Sequence, residues 1–194
     1  MRKLIRKLSD MRGISGFEYR LTDQIADMFK KYCDDVKIDS LGSVIAVKRS
    51  NKPNAPKLMI EAHCDEIGLI VTSITDEGYL TFANVGGVDE RTLPSTEVTV
   101  HGKEDLWGVI GIKPNYLLEQ GKTAKLKELA VDTGLSAEKV KELVAVGDSI
   151  TLAQSVGRLG KKQFSGKSLD DRASVAAIMR VMKNIKDLDI DIDV

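Results

Sequence analysis

Residues 57–66, KLMIEAHCDE, are the stretch from which the fold of this chain can be predicted. The apolar-rich part, 57–62, is typical of a strand buried in a domain core, and a polar cluster begins directly after it at His63. A helical pattern over 17–29 and strand-like alternation between 36 and 47 precede it. This order of helix, hairpin and strand predicts the beginning of an α/β domain.

Two helices are predicted ahead of the hairpin. The first has apolar residues at helical spacing over 4–11, with basic residues on either side. The second follows SGFE at 15–18, which fits a capping box in which the Ser15 hydroxyl and the Glu18 carboxylate satisfy amide donors at the helix start. Its apolar residues recur at steps of three and four, so we expect one face to be buried.

Between residues 68 and 160 the pattern changes to short β-rich runs separated by turn signals such as the glycine pair at 86–87. The predicted strands cover 69–74, 79–85, 97–100, 109–112 and 149–152. A helix with Ser136 as its N-cap interrupts them, and a second helical piece is predicted near 123–130. This spacing predicts a small barrel or a sandwich.

Helical spacing returns from Asp171, and the strict alternation of LDIDIDV at 188–194 predicts a further strand. The simplest organisation is an α/β domain formed by residues 1–67 and 163–194, with a β-rich domain of residues 68–162 inserted between them. At about 150 residues per domain, the 194 residues leave one large domain or two small ones open.

The composition excludes several classes of protein. With 29 basic and 29 acidic residues the formal net charge is zero, and no basic stripe with interleaved aromatic residues indicates a nucleic-acid surface. No apolar run approaches the roughly 20 residues of a membrane span, and early charges interrupt any signal-peptide core. These two observations predict that the protein binds neither nucleic acid nor membranes. Because two cysteines are too few for a disulfide framework, we also expect a cytoplasmic protein.

The sequence HCDE at 63–66 is the first candidate site. Because alternate residues of a strand project to one face, Asp65 is expected beside the imidazole of His63. Such a carboxylate can hold one ring nitrogen and leave the other available for a metal ion. The alternative is a histidine at a strand end that is merely hydrogen-bonded.

The second candidate site is GKSLDDR at 166–172, directly before a helix. The adjacent carboxylates of Asp170 and Asp171 repel each other unless a cation or a nearby arginine offsets their charge. Either aspartate could instead be an ordinary helix N-cap. Taken together with His63, these carboxylates favour a site for Zn²⁺, Co²⁺ or Mn²⁺, which accept nitrogen and oxygen ligands.

The other reactive side chains are interpreted as structural. Cys64 is expected to face away from His63 and to be a buried residue rather than a ligand or nucleophile. His101 follows a strand and opens a turn, which favours a solvent-facing role. Arg172 could contact a substrate, but a salt bridge to its neighbouring carboxylates is the favoured interpretation.

Four motifs follow one another along the chain: AHCDEIG at 62–68, VGGVDER at 85–91, HGK at 101–103 with GVIG at 108–111, and LDDR at 169–172. In order and separation they resemble the M42 family of metallo-aminopeptidases. That family includes glutamyl aminopeptidases, tetrahedral TET peptidases and proteins historically labelled cellulase M or endoglucanase. The resemblance begins at ISG, residues 14–16, and extends over essentially the whole chain.

The resemblance implies a zinc-peptidase-like α/β catalytic domain with an inserted β-barrel, PDZ-like domain that mediates dimerisation. It also implies two divalent metal ions, zinc or cobalt, and a peptide substrate whose free α-amine they bind. In the motifs, His63 matches a ligand of one ion, Asp170 matches the aspartate that bridges both, and Asp65 matches the catalytic residue that orients the histidine ligand. The bond between Asp170 and Asp171 is expected to be cis.

The remaining site residues of the family cannot be placed in this sequence. They are a Glu-Glu pair, a later aspartate ligand and a C-terminal histidine ligand, which in the family follow the strand that begins near Ile190. A two-metal site needs about three protein ligands per ion, and His63 and Asp170 supply two. The resemblance therefore predicts a truncated aminopeptidase that is inactive alone, from a family that forms dimers and dodecamers.

Two other functions stay open at this point. The chain could be a noncatalytic oligomerisation module, since the inserted region of roughly 95 residues is long enough for an autonomous domain. It could also be an endoglucanase, as some labels in the family say. One Trp, four Tyr and four Phe disfavour that function, because glycoside hydrolysis needs two carboxylates flanking a sugar cleft that aromatic residues commonly line.

Overall fold

The structure is a computed structural model that describes residues 1–112 and 125–194. The chain divides into two compact units, which we call the α/β unit (Met1–Glu66 with Ser155–Val194) and the barrel unit (Ile67–Gln154). Residues 155–162 therefore belong to the α/β unit, whereas the sequence-based division ended the inserted region at 162. The assignment of one unit to catalysis and the other to dimerisation stays a prediction.

The described residues form four helices and ten strands. In chain order they are α1 (Arg2–Asp10), α2 (Tyr19–Phe29), β1 (Asp35–Ile38), β2 (Val44–Val47), β3 (Gly68–Ile74), β4 (Leu80–Val85), β5 (Glu97–His101), β6 (Asp105–Ile112), β7 (Leu129–Asp132), α3 (Ala137–Leu143), β8 (Ser149–Leu152), β9 (Gly157–Leu159), β10 (Gln163–Ser165) and α4 (Leu169–Ile185). Among these helices, none is both long and apolar enough to cross a membrane.

In the α/β unit, α1, α2 and α4 enclose one hydrophobic core. Its buried members are Leu8, Leu21, Ile25, Phe29, Val175, Ala176, Met179 and Met182. These residues recur at helical spacing in the sequence, so the predicted buried faces of the helices are confirmed. The strands β1 and β2 form an antiparallel hairpin, and β9 and β10 form a second one.

The buried strand predicted at 57–62 is wrong. Within the described residues the segment forms no strand and makes only an isolated parallel bridge, from Lys57 to Asp193, and Met59 is 80% exposed. An apolar run becomes a buried strand only where neighbouring strands pair with it and other elements cover its faces. The strand predicted at 188–194 is likewise reduced to the bridge at Asp193 and to backbone hydrogen bonds between Val194 and Lys48.

The barrel unit is a closed barrel with the strand order β3-β4-β7-β6-β5-β8, and all of its pairs are antiparallel. Alternate residues along each strand point inward and form the second core, as Leu69 and Val71 do on β3. The structure thus resolves the choice between barrel and sandwich in favour of the barrel. Helix α3 begins after Ser136, whose hydroxyl accepts the Lys139 amide at 3.4 Å, which confirms the predicted N-cap.

The helical piece predicted near 123–130 is confirmed only as one short 3₁₀ turn, and its last two residues belong to a strand. Residues 123 and 124 lie outside the described residues, a 3₁₀ turn covers Leu126–Glu128, and β7 begins at Leu129. Leu129 and Val131 both point into the barrel core, which is the period of two expected for a strand. Over so short an apolar run the helical and strand periods cannot be separated from sequence alone.

Candidate active site

His63 lies between two aspartates in the α/β unit. Its Nδ1 is 3.0 Å from Asp65 Oδ1, as the spacing of the two residues predicts, and its Nε2 is 3.2 Å from Asp170 Oδ1. Asp65 is two residues away along the chain, whereas Asp170 is 107 residues away and comes from the start of α4. The fold therefore brings together all three residues predicted for the site.

The two carboxylates change the protonation of the ring. Burial alone would lower the pKa of His63, but hydrogen bonds and charge interactions with Asp65 and Asp170 outweigh it and raise that pKa. In the neutral ring, a proton held at Nδ1 by Asp65 leaves the Nε2 lone pair facing Asp170. The side chain of His63 is 56% exposed, so this face of the ring is open to solvent.

The two adjacent aspartates have different roles. Backbone dihedral angles are non-helical at both residues, and the peptide bond between them is cis, as the motif resemblance implies. Asp171 Oδ1 accepts the Ser174 amide at 3.3 Å, so the N-cap alternative applies to Asp171. The side chain of Asp170 is 97% exposed and contacts only His63 among the hydrogen bonds of the described residues.

Ser15 is a site residue that the sequence analysis assigned to a different task. The capping box predicted at 15–18 is wrong, because α2 begins at Tyr19 and no side chain caps it. The Ser15 hydroxyl instead donates a hydrogen bond to Asp65 Oδ2, the carboxylate oxygen that does not face His63. A chain of hydrogen bonds therefore runs from Ser15 through Asp65 to the imidazole.

Arg172 forms a salt bridge, but not with the predicted partners. It is fully buried and its Nη2 lies 3.5 Å from Glu66 Oε1, whereas the prediction paired it with Asp170 and Asp171. Burial lowers the pKa of Arg172, and the charge of Glu66 opposes that shift. Glu66, which the sequence analysis did not single out, also binds Lys167, so a charged cluster lies beside the two candidate ligands.

Cys64 and His101 both have structural surroundings. Cys64 packs against the core of the α/β unit, and burial raises the pKa of its thiol, which disfavours the nucleophilic thiolate. His101 is not solvent-facing as predicted, because its side chain is only 11% exposed. Its two ring nitrogens lie 2.9 Å from Asp105 Oδ1 and 2.9 Å from Thr151 Oγ1, at the point where β5 pairs with β6 and β8.

The donor atoms fit a metal ion in type but not in number. Imidazole nitrogen from His63 and carboxylate oxygen from Asp170 are ligands that zinc and cobalt accept. In the parts of the chain that the structure describes, no group of three His, Cys, Asp or Glu side chains could hold a metal ion. His63 and Asp170 therefore supply two donors of a suitable type and no third among the described residues.

An open cleft of about 1030 Å³ borders the site. Its walls come from α2, the β1–β2 hairpin, the segment 57–65, the apolar face of α4 and the last two residues of the chain. His63 and Asp65 are among the lining residues, and Asp170 is not. Of the two candidate ligands, His63 thus borders a largely apolar concave surface, and Asp170 lies outside its lining.

Comparison with known proteins gives the family. The profile of the family described as M42 glutamyl aminopeptidase matches residues 42–194. The chain belongs to the M42 peptidase family. Its M42 relatives include the lysyl aminopeptidase of Pyrococcus furiosus, which is 33% identical over 198 residues, a match covering 98% of this chain and 56% of that protein.

Solved structures agree with this membership. The Pyrococcus horikoshii TET1 peptidase, described as assembling into a tetrahedron or a large octahedral shell, is 35% identical with a TM-score of 0.86, over 99% of this chain and 58% of that one. A protein of Thermotoga maritima described as an endoglucanase is 32% identical with a TM-score of 0.82, over 97% of this chain and 56% of that one. This M42 chain spans little more than half the length of the relatives it matches.

Proposed function

We propose that this chain contributes His63, Asp65 and Asp170 to the two-metal site of an M42 aminopeptidase that removes N-terminal residues from peptides. The observation that carries the proposal is the position of the His63 ring between the two aspartates, 3.0 Å from Asp65 and 3.2 Å from Asp170. Membership of the M42 family and the aminopeptidase activity named for its relative in Pyrococcus furiosus support the same reaction class.

Each residue has a distinct task in this proposal. Asp65 holds the Nδ1 proton and fixes the ring, so that His63 Nε2 presents its lone pair as a ligand. Asp170 offers an exposed carboxylate whose two oxygens can bridge neighbouring ions. Bound zinc or cobalt would polarise the scissile carbonyl and lower the pKa of a water molecule.

The two ligands of this chain are fewer than the about three that each catalytic ion needs. We therefore infer that the full site also needs residues from the part of the M42 fold that this chain does not span. The 194-residue chain is expected to bind a divalent ion weakly and to lack substantial peptidase activity when tested alone.

The test is a paired measurement on the purified chain. Calorimetric titration with Co²⁺ or Zn²⁺ should detect binding that disappears in Asp170→Asn, and incubation with aminoacyl-anilides should give no metal-dependent release of the anilide. Absence of any difference in metal binding between the wild type and Asp170→Asn would overturn the site assignment. Substantial metal-dependent turnover would overturn the expected inactivity.

A second candidate function is oligomerisation, because a solved M42 relative is described as assembling into a tetrahedron or an octahedral shell. We propose that the barrel unit mediates a homodimer of this chain. Light scattering over a range of concentrations tests this, with the dimer mass as the expected result. A monomer at high concentration would count against the proposal.

An endoglucanase activity is the weaker alternative, although a neighbour of similar fold carries that description. Glycosidases use two carboxylates, one of them as a general acid, in a cleft that holds a sugar. Here both carboxylates of the site contact an imidazole, which favours metal ligation. A reducing-sugar assay on a soluble cellulose derivative should give no signal.

We also propose a cytoplasmic location. Cys33 and Cys64 are both unpaired thiols, which suits a reducing compartment. Attachment of a thiol reagent to the protein isolated under non-reducing conditions tests this, and a recovered disulfide-linked form would contradict it.

A further inference from the structure

A buried charged cluster lies beside the candidate ligands. Glu66 and Arg172 are 5% and 0% exposed, and the Lys167 ammonium lies 2.8 and 2.6 Å from the two carboxylate oxygens of Glu66. The Ser168 hydroxyl donates to Glu66 Oε2 at 2.6 Å. Burying such charges is costly, and well-packed apolar residues often give equal or greater stability. The cluster therefore calls for a reason other than stability.

Its first set of contacts connects the two segments that carry the ligands. Glu66 directly follows Asp65 in the chain. Its partners Lys167 and Ser168 precede Asp170 by three and two residues. Both of these side chains thus tie the HCDE segment, 63–66, to the turn that leads into α4.

A second contact links the same two segments through a residue on the C-terminal side of Asp170. Arg172 follows Asp170 by two residues, and its Nε donates to the carbonyl oxygen of Cys64 at 2.7 Å. Cys64 is the residue between His63 and Asp65. The hydrogen bond between His63 and Asp170 is therefore flanked on both sides by links between the same two segments.

The last turn of α1 and the loop after it anchor these links. Arg172 Nη1 donates to the carbonyl oxygens of Leu8, at 2.9 Å, and of Met11. Lys167 Nζ donates to the same Met11 carbonyl at 3.0 Å, and the Gly13 amide donates to Glu66 Oε1 at 3.1 Å. The charged groups are thus held by backbone atoms that cannot move independently of the core.

We propose that Glu66, Lys167 and Arg172 are positioning residues that set the spacing between His63 and Asp170, so that both ligands can reach one metal ion. This inference rests on the proposed function, in which those two residues bind metal. Ligand geometry in a metal site must be held to about 0.5 Å, and residues behind the ligands commonly supply that precision.

The main test is Co²⁺ affinity measured by titration calorimetry on the full 194-residue chain, with visible absorption of bound Co²⁺ as a report on ligand geometry. Glu66→Gln keeps the shape of the side chain but removes its charge, and we expect Co²⁺ binding to weaken by about 10- to 100-fold. Ser168→Ala removes a single hydrogen bond and should weaken binding less. If Glu66→Gln does not fold, Ser168→Ala and Arg172→Lys decide the question.

Met179→Ala is the matched control. Met179 lies on α4 and is 1% exposed in the core of the same unit, so its truncation lowers stability without touching the links. We expect this variant to keep the Co²⁺ affinity and the absorption spectrum of the wild type. Weakened binding in Met179→Ala equal to that in Glu66→Gln would show that the cluster acts through stability alone.

A metal-free readout separates this inference from the proposed function. The chain has two histidines, so the imidazole NMR signals of His63 can be resolved, and Asp170→Asn supplies the reference for the lost hydrogen bond. We expect Glu66→Gln and Ser168→Ala to shift these signals toward that reference. If the wild type does not bind Co²⁺, only the proposed function is contradicted. If His63 gives the wild-type signals in both variants, the positioning role is overturned.

Discussion

The two histidines of this protein have similar partners and very different surroundings. Each ring contacts an aspartate through Nδ1, at 3.0 Å for His63 and 2.9 Å for His101. At Nε2, however, His63 faces the exposed carboxylate of Asp170, and His101 faces the buried hydroxyl of Thr151. The side chains are 56% and 11% exposed.

In the proposed function, this difference separates the candidate ligand His63 from the structural residue His101. A hydroxyl can give a proton to the second nitrogen of His101 and so complete its hydrogen bonding, as a buried polar group requires. A carboxylate cannot do so for neutral His63 with its proton at Nδ1, because two acceptors then face each other, and either protonation of the ring or a cation between them removes that mismatch. Burial and the second partner, rather than the aspartate that both rings contact, distinguish the candidate ligand His63 from His101.

The largest difference between the two histidines is expected in metal affinity. Replacing His63 with Ala removes one of two donors, and we expect Co²⁺ affinity to fall by more than about 100-fold, which exceeds the usual effect of outer-shell residues. Replacing His101 with Ala should leave it unchanged. Titration calorimetry measures both, and equal losses of affinity in the two variants would contradict the assignment.

For the free energy of unfolding, we expect the opposite order: His101→Ala should lose more stability than His63→Ala. His101→Ala deprives the buried Thr151 hydroxyl of its partner, and we expect a loss of about 1–3 kcal/mol in the free energy of unfolding. His63→Ala should cost about 0.5 kcal/mol or less, since its ring is largely exposed. Urea unfolding can be followed by the fluorescence of Trp107 on β6 for the barrel unit and by circular dichroism for the whole chain.

Protonation of His63 provides a third test. Although burial opposes the shift, Asp65 and Asp170 raise the pKa of His63 above its usual value near 6.5. The stabilisation from the protonated ring is therefore fully present below about pH 6.5 and is lost as the pH rises through the pKa of the folded protein. NMR titration should give a lower pKa in Asp170→Asn, and an unchanged value would show that the contact with Asp170 does not form in solution.

Sequence reasoning succeeded where local geometry decided the contact. Asp65 was predicted beside His63 because alternate residues of a strand share a face, and the two side chains do meet although the segment is not a strand in the structure. Asp170 was reached through motif resemblance, since nothing local connects residues 107 positions apart. The clustering of Glu66 with Lys167, which are 101 positions apart, has no periodic signal and was missed.

The errors came from local patterns that suit two structures equally well. The apolar run at 57–62 has the composition of a buried strand, but burial depends on which elements cover it, and Met59 is exposed. Ser15 and Glu18 have the spacing of a capping box, yet the hydroxyl had a better acceptor in the Asp65 carboxylate. Charge-assisted hydrogen bonds of that kind are stronger than those to neutral partners, so the distant contact prevailed.

Ser15 gives the smallest effect and the most specific test of how far the site extends. Removing its hydroxyl in Ser15→Ala leaves the hydrogen bond between Asp65 and His63 in place but lets the carboxylate rotate. We expect Co²⁺ affinity to fall by no more than about 10-fold, at the low end for outer-shell residues. Ser40→Ala, in the turn between β1 and β2, is the control and should not change the affinity. A loss as large as that of His63→Ala would mean that Ser15 is itself a ligand, because a residue that acts only through Asp65 cannot weaken binding more than removal of the ring that Asp65 orients.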